Sequence, residues 1–435
     1  MMGRHDDPRD RALRVIEAVE RGGELQQALN RALSRSGLSG DDRHLATQLC
    51  YGYFRFKGRL AFIVSSRVSH SWRKLPRPLR TALLLAGYEL LHLDRVPDYA
   101  TVSWYVQRIK ERHSLRLAGL ANAVLRNLAA EDRGRFFERS FYSRQASEEA
   151  EVLSRFYSCP RWIVELWLEH FGRETCEELL RSSLDQPPVG LRINQTLPEA
   201  GTVRQGFLES PDCLMSRGYG LALIKASATR LDNLASEGLL SRQSLAAQEA
   251  VLELAPETWP EPIWDACAGR GGKTGLLREL GHKEIWASDV DWNRLRGLPR
   301  EMDRLQLKAV PAFLADASGP HPFAQRPQCV LLDVPCTGLG VISRRPDLKW
   351  KRRPDDVQSL AKRQLAILTA CTESIRVGGR VIYITCTISP EENEELIKRF
   401  LKTHAHCFLE KDWATSHDSP LREHFYAACL RIDKV

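Results

Sequence analysis

The chain has 435 residues, of which 43% are hydrophobic and 27% charged, so a globular protein of two or three domains is expected. A formal net charge of +8 tilts slightly toward a polyanionic partner. Eleven cysteines without a C-x-x-C pair argue against a disulfide framework and a zinc knuckle. The sequence therefore predicts no metal site, and it predicts that the protein is located in the reducing cytoplasm. The N-terminal MMGRHDDPRD lacks the apolar core of a signal peptide, and the apolar runs are too short to span a membrane.

The first segment, residues 11–128, has apolar residues at helical spacing. Leu13, Ile16 and Val19 form one such series, with charged residues on the other faces. A break follows at residues 37–40, after which Asp41-Asp42 is typical of a helix start. The pattern predicts an all-α domain, and periodicity alone gives this domain no function beyond that of a scaffold.

The next segment contains few regular patterns. Residues 129–150 are charged and lack a clear apolar stripe, which favours a connector. A proline-started helix is predicted in YSCPRWIVELWLEHF, residues 157–171, and a short strand in VGLRINQT, residues 189–196. Residues 200–240 are the least informative part of the chain.

From residue 238 onward, strands alternate with helices. A late amphipathic helix, EENEELIKRFLKTH, precedes two terminal strands near residues 406–409 and 424–432. The earlier predicted strands are residues 262–266, 284–290, 307–315, 329–333 and 380–387. Repeated β-α units of this kind predict a doubly wound parallel sheet.

A glycine-rich turn, DACAGRGGKT (residues 265–274), lies between the first of these strands and its helix. Glycines let the backbone approach a ligand closely, and the helix start offers free N–H groups. The spacing matches neither a P-loop nor a strict dinucleotide fingerprint, so a plain tight turn is the alternative. Asp289 and Asp316 close the next two strands, where carboxylates can meet a ribose hydroxyl and an adenine amino group. Together they favour a nucleoside cofactor over a phosphate-rich one.

Two cysteines follow predicted strands in the same part of the chain. Cys336 comes shortly after Asp333 and Pro335, and Cys386 ends the strand that begins at Arg380. An inert, packed thiol is the ordinary interpretation of a lone cysteine. Both of these, however, lie at the strand ends where open α/β sheets bind ligands, and a thiolate there can serve as a nucleophile.

A basic run, SRRPDLKWKRR (residues 343–353), follows the first of these cysteines. A solvated charged loop is the usual interpretation of such a run. Because an aromatic residue stands among the cations, we predict that the run binds RNA. The predicted RNA-binding residues are Arg344, Arg345, Lys349, Trp350 and Lys351.

These motifs carry a resemblance to a known family. DACAGRGGKT, LADAS, LLDVPCTGLGVISRRPDLKW and YITCTISPEEN together resemble the RNA cytosine-5 methyltransferases, within them the RsmB branch. DDRHLATQLCYGYFR, LLAGYELLHLDRVPDYATV and GLANAVLRNL resemble the NusB-type RNA-binding domain that opens those proteins. The resemblance implies a multidomain protein: a NusB-like helical domain at 1–140, a connector and small α+β domain at 141–237, and a Rossmann-like α/β methyltransferase domain at 238–435.

The resemblance also implies a cofactor, a partner and residue roles. The cofactor would be S-adenosyl-L-methionine and the partner RNA, as 16S rRNA, with no membrane and no obligate protein partner. Cys386 would be the nucleophile, Cys336 would assist product release, and Asp333 would hydrogen-bond the target base. The residues implied in cofactor contact are Cys267, Ala268, Gly269, Arg270, Gly271, Gly272, Lys273, Asp289, Asp316 and Asp333.

The chain departs from the family pattern at three places. Arg270 replaces a proline in the glycine turn, Ser244 replaces an acid in QSLAAQ, and Glu423-His424 replaces Asp-Gly. Two other functions stay open at this point. One is a non-catalytic RNA-binding or ribosome-assembly factor, against which the two cysteines speak. The other is an amino-group methyltransferase, which would need no thiol.

Overall fold

The computed structural model describes residues 6–68, 71–143, 146, 148–321 and 323–433, and the chain divides into two compact units. The first unit is Met1–Asp185 with Arg345–Arg352, and the second is Gln186–Arg344 with Arg353–Val435. The domain boundaries predicted at residues 140 and 237 lie inside these units, so compactness alone does not mark them.

The first unit is helical, as its apolar periodicity predicts. Its helices are α1 (Pro8–Glu20), α2 (Leu25–Ser34), α3 (Gly40–Ser65), α4 (Arg77–His92), α5 (Asp98–Arg112), α6 (Leu115–Ala130), α7 (Ser140–Ser143), α8 (Glu149–Phe156) and α9 (Arg161–Leu184). Short 3₁₀ turns occur at Trp72–Lys74 and Arg133–Phe137.

Local sequence explains where these helices begin and how closely they pack. Ser39 caps α3 by accepting a hydrogen bond from the backbone N–H of Asp42. Within α3, Gly52 faces the ring of Tyr88 on α4, and a Cβ at position 52 would lie only 2.0 Å from that ring. Glycine therefore permits the close crossing of α3 and α4.

The segment predicted as a connector contributes to the helical core. Phe136, in the 3₁₀ turn, and Tyr142, on α7, are buried in the same apolar cluster as the earlier helices. The hydroxyl of Tyr142 donates to the carbonyl of Phe136. The interpretation of residues 129–150 as a plain connector is therefore wrong, because two aromatic residues without helical periodicity anchor the segment.

The second unit begins with a small antiparallel sheet in the order β2-β3-β1-β4. Its elements are β1 (Val189–Ile193), α10 (Ala200–Leu208), β2 (Cys213–Arg217), β3 (Gly220–Leu223), α11 (Ala228–Ser236) and β4 (Leu240–Arg242). Residues 200–240, the least informative part of the sequence, thus supply two short helices, two strands and the start of a third.

The larger sheet has seven strands in the described part of the chain. Its elements and flanking helices are α12 (Leu245–Leu252), β5 (Ile263–Asp265), α13 (Gly272–Glu279), β6 (Ile285–Asp289), α14 (Trp292–Leu295), α15 (Leu298–Arg304), β7 (Ala312–Leu314), β8 (Cys329–Asp333), α17 (Pro354–Ser374), β9 (Arg380–Thr385), α18 (Glu394–Thr403), β10 (Cys407–Ala414) and β11 (Tyr426–Ile432). Helix α16 (Leu348–Lys351) belongs to the first unit. Short 3₁₀ turns occur at Pro256–Thr258, Leu339–Val341 and Pro390–Glu392.

The strand order, β10-β11-β9-β8-β5-β6-β7, confirms a Rossmann-like α/β fold. Strands β7, β6, β5, β8 and β9 are parallel, whereas β11 runs antiparallel to β9 and to β10. The chain moves outward from β5 through β7 and then returns to β8 on the other side. This reversal creates a switch point between β5 and β8, where such sheets bind ligands beyond the strand ends.

None of the helices in the part of the chain that the structure describes combines the length and apolar character required to cross a membrane.

Candidate active site

Two thiols meet beyond the ends of neighbouring strands. Cys336 follows β8 and Cys386 follows β9, and the two parallel strands are paired so that Asp333 lies opposite Ile384. The two sulfur atoms are 3.2 Å apart, and the backbone N–H of Cys386 points at Sγ of Cys336 at 3.4 Å. The structure therefore brings together the two cysteines that the sequence predicted, although 50 residues separate them.

The two thiols have different surroundings. Cys336 is buried, whereas Cys386 is half-buried and reachable from outside. The hydrogen bond to Cys386, together with burial, raises the pKa of the Cys336 thiol well above its usual value. Cys336 therefore keeps its proton and can donate it as a hydrogen bond to the sulfur of Cys386.

A carboxylate and an ammonium group form an ion pair at the end of β8. The Nζ atom of Lys273 lies 2.6 Å from Oδ2 of Asp333. Lys273 is nearly buried, and its Nζ also lies 5.9 Å from the centre of the Phe425 ring. Asp333 stays 38% exposed, so its carboxylate is oriented by the lysine while one side faces the open rim. The sequence placed Lys273 only in the cofactor turn and gave no sign of this pairing.

The glycine turn adopts a conformation that its residue types explain. Gly269 and Gly271 have φ angles of +58° and +88°, in the left-handed region that favours glycine. The N–H of Gly269 donates to Oδ2 of Asp289 at 2.9 Å, which joins the turn to the end of β6. Arg270, which stands where the resembled family has proline, is exposed at the tip of the turn.

An aspartate beneath this turn carries an unsatisfied oxygen. Asp265 is fully buried, and its Oδ2 accepts a hydrogen bond of 2.6 Å from the hydroxyl of Thr274. Its Oδ1 is buried without a hydrogen-bond partner among the described residues. Burial raises the pKa of Asp265 to about 7, and the nearby charge of Asp333 acts in the same direction. Cys267 is partly buried in this turn, and burial together with the neighbouring acids raises the pKa of its thiol, which favours the protonated form.

Asp289 and Asp316, the other two acids predicted to contact the cofactor, differ in burial and in hydrogen bonding. Asp289 is almost buried and accepts hydrogen bonds from the backbone of Gly269 and Asp291. Asp316 is exposed and accepts from the N–H and the hydroxyl of Ser318, which lowers the pKa of its carboxyl. Asp289 is thus held rigidly beside the glycine turn, and Asp316 lies at the outer edge of the site.

Sequence reasoning missed a set of apolar side chains around these acids. Val290, Trp292 and Leu314 are between 55% and 59% exposed, near the ends of β6 and β7. Exposed apolar groups of this size beside a ligand site offer a surface for a flat ring. The detectable signal was the position of Val290, an apolar residue directly after the acid that ends a strand.

These residues fit S-adenosylmethionine. The cofactor carries a positively charged sulfonium and an ammonium group, and three acids, Asp265, Asp289 and Asp333, lie around the glycine turn. Among the described residues only Asp333 of the three forms an ion pair, with Lys273. The unpaired Oδ1 of Asp265 could accept a hydrogen bond from a donor group of the bound cofactor. The exposed apolar side chains complete a surface suited to the adenine ring.

Two residues of the basic run are buried or partly buried, although the composition of the run suggests a solvated surface. The side chain of Lys349 is fully buried, and its Nζ donates to the carbonyl of Arg55 at 3.0 Å. Burial lowers the pKa of this ammonium group to about 8. The indole of Trp350 is partly buried against the helical core and donates to the carbonyl of Phe54 at 2.6 Å. The structure therefore corrects the predicted role of Lys349 and Trp350 as an open stacking surface, because both pack on α3.

The remaining predicted RNA-binding residues also have partners within their own units. Arg344 makes a bidentate ion pair with Glu423, and Arg345 pairs with Glu24. The ammonium group of Lys351 pairs with Asp347 and donates to a backbone carbonyl on the helical unit. RNA contact by these three residues stays a prediction, and it would compete with these ion pairs.

Two family models match separate parts of the chain. A family model described as 16S rRNA methyltransferase RsmB/F matches residues 250–425, and a NusB family model matches residues 6–130. The probable ribosomal RNA small subunit methyltransferase B of Synechocystis sp. is 32% identical over 396 residues, which cover 89% of this chain and 85% of that relative. The ribosomal RNA small subunit methyltransferase B of Vibrio cholerae is 31% identical over 401 residues, covering 89% and 87%.

Solved structures show the same fold. The crystal structure of PH0851 aligns with a TM-score of 0.77 and 23% identity over 98% of this chain and 99% of that one. The structure of NSun6 from Pyrococcus horikoshii with SFG, an analogue of S-adenosylmethionine, aligns with a TM-score of 0.56 and 21% identity, covering 63% and 99%. At these identities the likeness is one of fold.

Proposed function

The chain belongs to the ribosomal RNA small subunit methyltransferase B family, and on that premise we propose that it methylates carbon 5 of a cytosine in 16S rRNA through a covalent Cys386 adduct. It is a methyltransferase that uses S-adenosylmethionine. The specific observation that supports the cytosine reaction is the pair of thiols 3.2 Å apart beside the Asp333–Lys273 ion pair. A ribosomal RNA substrate would place the reaction in the cytoplasm.

The chemistry explains the need for a thiol. Carbon 5 of cytosine is a poor nucleophile until a sulfur adds to carbon 6 and makes the ring an enamine. Cys386, as the accessible thiol, would form that bond after losing its proton. Bound S-adenosylmethionine supplies an electrophilic methyl group on its sulfonium. Because attack comes from the face of the ring, the cytosine must be unstacked, as in a loop or an extruded base.

Asp333 and Cys336 would act on different groups of this adduct, the base and the sulfur. The carboxylate of Asp333, oriented by Lys273, can accept hydrogen bonds from the exocyclic amino group of the cytosine and from a proton on N3, which would favour the protonated ring that takes up the electron pair of the attacking sulfur. After methyl transfer, carbon 5 would give its proton to water at the half-buried Cys386, and the electron pair of that C–H bond would re-form the ring double bond as the bond between carbon 6 and Cys386 breaks. Cys336 keeps its proton next to the departing sulfur, so its S–H can stabilise the released thiolate and assist product release.

The test is transfer of labelled methyl from S-adenosylmethionine to unmodified small-subunit rRNA, with the product digested to nucleosides. We expect label in 5-methylcytidine with the wild type and none with Cys386→Ala. With Cys336→Ala we expect a protein–RNA adduct that survives denaturant. Label that persists with Cys386→Ala would refute the assigned nucleophile, and label in an amino-methylated nucleoside would favour the thiol-independent alternative.

A further inference from the structure

One buried carboxylate contacts both cysteine loops. Glu392 ends the 3₁₀ turn Pro390–Glu392, six residues after Cys386, and its side chain is completely buried. The mechanism above gives it no role, and the sequence alone offered no reason to select it among neighbouring acids.

The partners of Glu392 are the residues that directly follow the two cysteines. Its Oε1 accepts from the backbone N–H of Thr337 at 2.9 Å, and its Oε2 accepts from the hydroxyl of Thr337 at 2.5 Å. The hydroxyl of Thr387 lies 3.3 Å from the same Oε2. The two threonine hydroxyls are 2.8 Å apart, so they and the carboxylate form one closed cluster.

A third element fixes the carboxylate from the other side. Gln364 on α17 is buried, and its side-chain amide donates to Oε1 of Glu392 at 2.9 Å. The same amide donates to the carbonyl of Pro335, the residue before Cys336, at 3.0 Å. The backbone on both sides of Cys336 is therefore tied, directly or through Gln364, to Glu392.

We propose that Glu392 is a positioning residue that holds the loops of Cys336 and Cys386 at the spacing the two thiols need to act on one base. The functional meaning of that spacing rests on the roles proposed for Cys386 and Cys336. Glu392 does not touch the reacting atoms; it acts through Thr337 and Thr387.

Burying a carboxylate costs desolvation free energy, so the hydrogen bonds that Glu392 makes must offset that cost. Burial raises the pKa of Glu392, and the surrounding hydroxyl, amide and backbone donors oppose that shift. An apolar side chain of similar size would fill the space without this cost, but it could not bind two hydroxyls and a backbone N–H at once. The charge also contributes to the raised pKa of the Cys336 thiol.

The substitutions Glu392→Ala and Glu392→Gln separate positioning from charge. The amide oxygen of glutamine can replace Oε1 toward the two N–H donors, and its NH₂ group can donate to the threonine hydroxyls, which also accept hydrogen bonds. Glutamine should therefore keep the spacing, and alanine should lose it. Glu391→Ala, in the same turn but half-buried and bonded to Ser389, is the matched control.

The distance between the thiols can be measured without catalysis by titration with phenylarsine oxide. This reagent forms two As–S bonds with a pair of close thiols and releases one water. In the wild type we expect one equivalent whose binding is lost in both Cys336→Ser and Cys386→Ser. Glu392→Ala should weaken that binding by about tenfold or more, whereas Glu392→Gln and Glu391→Ala should stay within about threefold.

Methylation kinetics on 16S rRNA give the second measurement. Glu392→Ala should lower kcat with little change in KM for either substrate, and Glu392→Gln should restore most of the rate. A folded Glu392→Ala variant with wild-type arsenical binding would overturn the proposal, as would a folded Glu392→Gln variant as impaired as the alanine variant. If the alanine variant does not fold, the double variant Thr337→Val/Thr387→Val takes its place, because it removes both hydroxyls that bind Oε2 of Glu392. Unchanged arsenical binding in that folded double variant would overturn the proposal equally.

The two measurements also separate this inference from the proposed function. Loss of thiol spacing in Glu392→Ala would support positioning even if no 5-methylcytidine were formed by the wild type. Formation of 5-methylcytidine with unaltered thiol spacing in Glu392→Ala would leave the proposed function intact and refute the positioning role.

Discussion

The hydroxyl of Ser244 donates a 2.7 Å hydrogen bond to Oε2 of Glu423, so two positions that depart from the family pattern are in direct contact. Glu423 is almost fully buried and also accepts two hydrogen bonds from the guanidinium of Arg344, each at 2.7 Å. Ser244 stands where the family has an acid. In the cluster of Ser244, Glu423 and Arg344, Glu423 therefore supplies the carboxylate that pairs with Arg344.

We expect the partners in this cluster to be unequal in stability measurements. Arg344→Leu should lower the free energy of unfolding by about 3 kcal/mol or more, because it leaves the buried carboxylate of Glu423 without its cation. Glu423→Gln should cost about 1–2 kcal/mol, since Arg344 is 38% exposed and water can solvate it. Urea denaturation of both variants checks the order, and equal losses would contradict it.

Ser244→Asp, which adds a second carboxylate beside Glu423, should also lower the free energy of unfolding of the protein.

Asp265 predicts a pH dependence of stability. Its pKa of about 7 in the folded protein exceeds the value of about 4 for an unfolded aspartate, so the folded state binds the proton more tightly. Stability from this group is therefore greatest at acid pH and falls by about 1.4 kcal/mol per pH unit as the pH rises from about 4 to 7.

Asp265→Asn should remove this component of the slope. Denaturation without cofactor at pH 5, 6, 7 and 8 checks the prediction, and identical slopes for wild type and variant would contradict it. Saturating S-adenosylmethionine should flatten the wild-type slope, because a cationic ligand favours the ionised carboxylate.

The general architecture could be predicted from local sequence, and the candidate site residues could be proposed from it. Strand-helix alternation, the acids at strand ends and the two cysteines were all recognisable because a parallel sheet gathers its strand ends at one edge. The residues that organise the site were not recognisable in this way. The role proposed for Glu392 depends on its hydrogen bonds with Thr337 and Gln364, which belong to two other segments of the chain.

The basic run shows the opposite case, in which a local pattern misleads. Its charges and single aromatic residue are typical of a solvated nucleic-acid surface. Trp350, however, contacts the backbone of Phe54, which lies 296 residues away in sequence. Neither periodicity nor composition reports a contact at such separation, so the packing of Lys349 and Trp350 on α3 could only be seen in the structure.

Asp333 and Asp316 should separate catalysis from cofactor binding. Asp333→Asn should lower kcat by about 100-fold or more, because it removes the carboxylate charge, oriented by Lys273, that we propose acts on the base. Asp316→Asn, at an exposed carboxylate that accepts from Ser318, should change kcat by less than about threefold and act mainly on KM for S-adenosylmethionine. Steady-state kinetics with both substrates varied distinguishes the two, and a large loss of kcat in Asp316→Asn would contradict the assignment.

Arg192 should control the cofactor turn from outside it. Its side chain, on β1, is buried in a bidentate ion pair with Glu279 at the end of α13, with distances of 2.9 and 3.0 Å. It also donates to the carbonyl of Gly272, the first residue of α13, at 2.6 Å. Arg192 therefore contacts both ends of the helix that follows the glycine turn, and Arg192→Met should both destabilise the protein and weaken cofactor binding.

A double substitution separates these two effects. Arg192→Met alone leaves the carboxylate of Glu279 buried without a partner, at a cost of about 3–5 kcal/mol. Replacing Glu279 by methionine as well should recover most of that stability, because apolar pairs often substitute well for buried ion pairs. Affinity for S-adenosylmethionine should stay reduced in the double variant, since the guanidinium that bonds the carbonyl of Gly272 is still missing. Calorimetric binding that returns to the wild-type value along with stability would show that Arg192 matters for folding alone.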